Sequence, residues 1–338
     1  MATDRRLQKM VIAGASSLLG NELKAVLEES LFSAWDLRLV DEEVVAGTLT
    51  EAAGEATIIQ RVDEDSFRGA RYAFLTGSTD FGKRCLMPAK DAGATIIDLS
   101  RATLSDPDAT PWFPRVEALS RRTIAKTATQ FSVCSAAATA LATLTLALRS
   151  FGLQHLVAVV FQPVSEAGRE GIEELETQTS QLLSFQTIGS PVFAAQAAFN
   201  LLPCFGSDSR HRLADRLLQI RAELTGALGG DAADSKNIAM NLIHAPVFYG
   251  MAFNAYALLE VEADSASLTT ACSRAGFSMV PASEAAPNNV SVAGETSISL
   301  RTPEPDSSHS GGWWFWGAAD NLRLPAWNGC KLAEWLEQ

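Results

Sequence analysis

The opening run "KMVIAGASSLLGNELKAVLEES", residues 9–30, limits the fold more than any other stretch. A short apolar run passes through Gly14 to Gly20 and then sets Leu19, Leu23, Val26 and Leu27 at helical spacing. This is strand, glycine turn, helix. Strand chemistry returns in "DLRLVDEE" (36–43), "RYAFLTG" (71–77) and "ATIIDLS" (94–100). Strands alternating with helices predict a doubly wound, mostly parallel sheet over about the first 130 residues.

The second half has a different character. "SAAATALATLTLALRS" (135–150) predicts a long helix leading out of the sheet. "LQHLVAVVFQPVSEAG" (153–168) reads as a buried strand, followed by a helical, acidic segment. "NAYALLEVEAD" (254–264) alternates as a strand, and "TPEPDSSHSGG" (302–312) is a loop by its Pro, Ser and Gly content. In "WWFW" (313–316), Trp314 and Trp316 are expected to share one face of a buried strand, with the other two at an interface. "IHAPVFYGMA" (243–252) reads as a strand broken by Pro246 and Gly250. The predicted fold is α/β: a Rossmann-like domain of residues 1–134 with 320–338, and an α+β domain of residues 135–319.

Composition narrows the partners. The apolar share of 47% supports a sizeable core. A net charge of −12 argues against nucleic acid and against an anionic membrane surface. Cys85, Cys134, Cys204, Cys272 and Cys330 show no CxxC spacing, so neither a disulfide framework nor a metal site is expected. A reducing, cytoplasmic setting is the easier reading, and all of these cysteines except Cys134 are expected to be packing residues.

The turn "GASSLLG" keeps the first and last glycines of a dinucleotide-binding turn, Gly14 and Gly20, with Ser17 in place of a middle glycine. Ser16, Ser17, Leu18 and Leu19 would then lie against the pyrophosphate at a helix N-terminus. A strand-to-helix turn without a ligand explains the same residues. Asp41, at the end of the second strand, is suited to the 2′-hydroxyl of an NAD ribose, and with Glu42 it would repel a 2′-phosphate. NAD is therefore preferred over NADP.

Several segments in order carry a resemblance: "GASSLLG", "DEDSFRGARYAFLTGS", "IIDLS…DPDATPWFPRVE", "FQPVSEAGREGIEELETQT", "AAFNLLP", "HAPVFYG" and "AADNLRLPAWNG". Together they resemble the aspartate-semialdehyde dehydrogenase family across nearly the whole chain. That resemblance implies a nucleotide-binding lobe and a dimerisation lobe, a homodimer, and a place in amino-acid biosynthesis. It also implies reduction of an acyl phosphate to an aldehyde by NADPH through a cysteine thioester. Gln162 matches the substrate-orienting glutamine. Counting back 27 residues to the nucleophile lands on Ser135, with Cys134 one place earlier. Gly77, Ser165 and Asn328 complete the implied cofactor contacts.

Other positions depart from the family. The substrate arginine falls on His244, its second arginine on Tyr249, and the general-base histidine on Met251. Methionine cannot move a proton, and imidazole cannot grip a carboxylate as guanidinium does. The phosphate-binding arginine falls on Leu104, with Arg101 three residues away as a substitute. The 2′-phosphate site is Glu42 and Val44, and Glu166 replaces a glycine close to where negative groups would lie. The family's acid–base pair on a later helix has no clear match in "SRHRLADRLLQIRAEL". Two readings follow. One is an oxidoreductase acting on an aldehyde or acyl phosphate, with Cys134, Gln162 and His244 as its catalytic candidates. The other is a catalytically silent dimeric homologue with a binding or regulatory role.

Overall fold

The structure is a computed structural model describing residues 8–43, 45–52, 55–229 and 237–338. Val44 lies outside the described residues. Two compact units divide the chain: Met1–Val116, Arg122–Cys134 and Pro325–Gln338 form the first, Glu117–Arg121 and Ser135–Leu324 the second.

The first unit runs β1 (Lys9–Ala13), α1 (Leu18–Glu28), β2 (Asp36–Asp41), β3 (Leu49–Ala52), β4 (Glu55–Ile58), β5 (Gln60–Arg61), β6 (Ala70–Leu75), α2 (Thr79–Asp91), β7 (Thr95–Asp98) and β8 (Thr110–Trp112). Short α3 (Val116–Ser120), which belongs to the second unit from Glu117 onward, precedes the first unit's β9 (Gln130–Val133). Seven of these strands form one sheet in the order β5-β2-β1-β6-β7-β9-β8, and every pairing in it is parallel. Parallel strands buried on both faces read as continuous apolar runs. Val11, Ile12, Ala73, Phe74, Ile96 and Ile97 are accordingly sealed from solvent. This is the Rossmann-like sheet expected from the alternation. The β3–β4 hairpin was not anticipated.

In the second unit, α4 (Ala136–Leu148) precedes β10 (Leu153–Gln162), α5 (Gly168–Leu183), α6 (Leu213–Ala227), β11 (Ile238–His244) and β12 (Met251–Leu259). Then come α7 (Ser265–Ala275), β13 (Ser278–Val280), β14 (Ser299–Arg301), β15 (Glu304–Pro305) and β16 (Gly312–Ala319). Helix α8 (Arg323–Leu336) starts in this unit and lies in the first from Pro325 onward. The mixed sheet has the order β11-β10-β12-β16-β14-β13, with β15 beside β16. Every residue of α4 is buried, as expected for a helix of Ala and Leu with only three threonines among them.

Some expectations need correction. The strand read over 153–168 ends at Gln162, and residues 164–167 form a 3₁₀ turn after Pro163. The strand read over 254–264 is Met251–Leu259, and the 302–312 loop contains β15. In "WWFW" the buried members are Trp313 and Phe315, while Trp314 and Trp316 face outward, because alternation along β16 gives the core the other pair. Cys204 is exposed rather than packed.

Candidate functional site

In the first unit the turn after β1 is held by close backbone contact. Gly14 has φ +92°, and a Cβ there would lie 2.2 Å from the Gly77 nitrogen. A Cβ on Gly20 would lie 2.4 Å from the Gly14 carbonyl oxygen. Both glycines are thus demanded by packing, whatever else they do. Ser17 is the N-cap of α1: its hydroxyl accepts the Gly20 N–H at 2.9 Å and donates to the Thr76 carbonyl at 2.8 Å. The first-turn amides of Leu18 and Leu19 have no acceptor within the helix itself. They are the groups a phosphate would use.

Asp41 is buried beneath this turn. Its Oδ2 accepts both the Ser16 N–H (2.8 Å) and the Ser16 hydroxyl (2.7 Å), and its Oδ1 accepts the Glu42 N–H (2.8 Å). The carboxylate therefore braces the turn, with lone-pair capacity left on Oδ1 for one more donor. Glu42 pairs with Arg84 of α2. Asn328 is buried in α8.

The segment "DLSRATLSDPD" wraps around buried Asp98, which accepts the backbone and hydroxyl donors of both Ser100 and Thr103 at 2.6–2.8 Å. This wrapping holds Arg101 at φ +69°. Cys134 ends the first unit, 1% exposed, with its N–H donating to the Trp112 carbonyl at 3.0 Å. The residue that caps α4 is Ser135, so the cysteine stands one position outside the helix.

In the second unit the two segments singled out from the sequence meet. Gln162 and His244 are register partners of β10 and β11. Beyond them the Val164 N–H donates to the Val247 carbonyl (3.0 Å), and the Ser165 N–H to the Phe248 carbonyl (3.2 Å). Asn321 ties both turns together, donating to the Ser165 hydroxyl at 3.0 Å and accepting the Gly250 N–H at 2.9 Å. Gly250 has φ +76°, and a Cβ there would meet the Asn289 carbonyl oxygen at 2.5 Å. The Gln162 amide oxygen is buried without a hydrogen-bond partner among the described residues.

His244 is sealed off at 1% exposure. Its Nε2 lies 3.2 Å from the Ala197 carbonyl, which can only accept, so Nε2 carries the proton. Phe193 and Phe205 pack on the ring. Burial pushes the imidazole below its ordinary range, against a smaller opposing effect of the Ala197 bond. The same loop hangs from α5: Glu174 accepts the Val192 and Phe193 N–H groups, and Gln178 those of Ala197 and Ala198. Met251 is also buried.

A buried ionic array was missed in the sequence. Arg216 of α6 donates to Glu166 (Nε to Oε2, 3.1 Å) and to Glu223 (3.4 Å). Burial alone would lower its guanidinium, but the two carboxylates outweigh this and hold it above the ordinary arginine range. Glu223 accepts both the N–H of Ser135, at 2.9 Å, and its hydroxyl. Arg216 and Glu223 are seven residues apart, two turns along one face of α6. That spacing was the available signal. In the fold Arg216 also pairs with Glu166, the residue read in the sequence as replacing a glycine.

The fold defines the class: a Rossmann-like parallel sheet followed by a mixed-sheet unit. The family model for the semialdehyde dehydrogenase dimerisation domain matches residues 144–324. A USG-1 protein homolog of Pseudomonas aeruginosa is 30% identical over 246 residues, spanning 71% of this chain and 70% of that protein. An aspartate-semialdehyde dehydrogenase of Shewanella violacea is 28% identical over 96% of each chain. The solved structure of a probable aspartate-semialdehyde dehydrogenase from Pseudomonas aeruginosa superposes with a TM-score of 0.85 over 98% of each chain, at 24% identity. The chain belongs to the aspartate-semialdehyde dehydrogenase family.

Proposed function

We propose that this chain is a dimeric, dinucleotide-binding member of the family that no longer reduces the family's acyl phosphate and serves a binding or regulatory role. The observation that carries this reading is the state of the base position. Met251 stands there, buried and without a transferable proton, and the histidine of the same segment is closed in by Phe193 and Phe205. Losing a positioned acid–base group costs on the order of 10²–10⁴ in rate.

The first unit fits a dinucleotide: the amides of Leu18 and Leu19 would hold the diphosphate, and the remaining capacity of Asp41 Oδ1 would take a ribose hydroxyl. NAD is favoured over NADP by that carboxylate and by Glu42. When bound, the cofactor would supply hydride chemistry; the chain's own part is to orient it.

The second unit offers a face for a second copy. Val157, Tyr256, Trp314 and Trp316 stand on the outward side of its sheet, with Val157 48% and Trp314 43% exposed. An apolar sheet face of this kind is a ready association surface.

An oxidoreductase with an altered substrate is the second reading. The orphaned Gln162 oxygen favours it, because a buried acceptor without a partner is satisfied when a ligand donor reaches it. The test is reductive dephosphorylation of aspartyl phosphate, run alongside calorimetric titration with NAD and NADP. Dinucleotide binding without turnover is the expected result. Turnover approaching that of an active family member would overturn the proposal, and silence toward both nucleotides would remove its dinucleotide half.

A further inference from the structure

We infer that Glu166 is a resident anion: its carboxylate sits on Arg216 and closes that guanidinium to carboxylate- or phosphate-bearing ligands. The inference rests on reading the "FQPVSEAG" and "APVFYG" turns as the ligand-facing part of the second unit. Arg216 is the buried cation behind those turns, and its Nε, the edge toward Glu166, donates to Oε2 at 3.1 Å. The other Glu166 oxygen, Oε1, lies 3.4 Å from the Asn321 amide nitrogen, which also bonds Ser165. Glu166 is thus held from the turn that joins both segments.

The deeper side of Arg216 belongs to Glu223, whose second oxygen takes the donors of Ser135 at the cap of α4. One guanidinium faces two carboxylates, so the array carries one net negative charge. An incoming anion meets that excess and finds the Nε–H already taken. Glu166 is the removable member. Its side chain is 18% exposed against 1% for Glu223, so it lies on the solvent side of the array. The ligand class this leaves is one that is neutral or cationic where it meets the array.

Removing Glu166 would strand a buried donor and free a volume the size of its carboxylate. A small anion can then bind where none does in the native chain. The experiment compares the native protein with Glu166→Gly, titrated calorimetrically with inorganic phosphate and with acetate at matched ionic strength. Melting temperatures are followed in phosphate and in chloride. The native chain is expected to show no saturable heat and the same melting temperature in both salts. Glu166→Gly is expected to melt about 5 °C lower in chloride. It should recover most of that loss in phosphate or acetate, with saturable binding.

A purely structural ion pair would give the loss without the binding, and that result overturns the inference. So does saturable phosphate binding by the native protein. Should Glu166→Gly fail to fold, Glu166→Ala frees the same carboxylate volume and the same Nε–H while restraining the turn's backbone. It should bind phosphate saturably, and no binding by it overturns the inference as well. Dinucleotide titration of the same samples separates the two claims, because loss of the nucleotide site leaves the anion result standing.

Discussion

His244 shows how a single residue changes meaning between chain and fold. The resemblance sets it where the family has a substrate arginine and makes it a candidate base. In the fold it is a neutral ring, buried against Phe193 and Phe205, with its Nε2–H donated to the Ala197 carbonyl. Because burial lowers its folded pKa below the unfolded value of about 6.5, the unfolded chain binds the extra proton first as pH falls. Its contribution to stability is therefore full above about pH 6.5 and is lost as pH drops from there toward the folded pKa. Thermal unfolding of the native chain between pH 8 and pH 5 should show this decline, and His244→Gln should flatten it. An unchanged pH slope in the variant would mean that another group is responsible.

At the scale of elements, the β1–α1 turn is the part whose geometry tolerates least. The positive φ of Gly14 and the 2.2 Å approach to Gly77 are both backbone constraints, so no side-chain adjustment relieves them. Gly14→Ala is expected to destabilise the first unit by about 3 kcal/mol or more. It should also remove dinucleotide binding, since the amides of Leu18 and Leu19 are aimed by this turn. Denaturant titration and calorimetry measure the two effects. Native affinity for the nucleotide in this variant would show that the turn is not the binding element. This turn was legible in the sequence because glycine spacing and apolar periodicity are local properties. That Gly14 serves packing first depended on its approach to Gly77, and that Asp41 braces Ser16 depended on a contact 25 residues away.

For the whole molecule, the clearest expectation concerns self-association. Trp314 stands in the outward face of the mixed sheet, so Trp314→Asp should leave the fold intact and convert a dimer to a monomer in sedimentation velocity. A dimer that persists unchanged would place the association surface elsewhere. Burial along β16 alternates as any strand's must, so the sequence could say that Trp314 and Trp316 share a face. It could not say which face meets water, because that depends on the helices packed on the other side.

The same division runs through the protein. The chain by itself determined the parallel sheet, the Ala/Leu-rich α4, and the ordered segments that mark the family. Each of these follows from periodicity or from residues close in sequence. The tertiary structure alone decided that Ser135 rather than Cys134 caps α4, that His244 faces two phenylalanines, and that Glu166 and Glu223 share Arg216. The physical reason is that a buried polar group must find its partner wherever packing brings one. Nothing in the spacing of the sequence names a partner 50 residues away, as Glu166 is from Arg216.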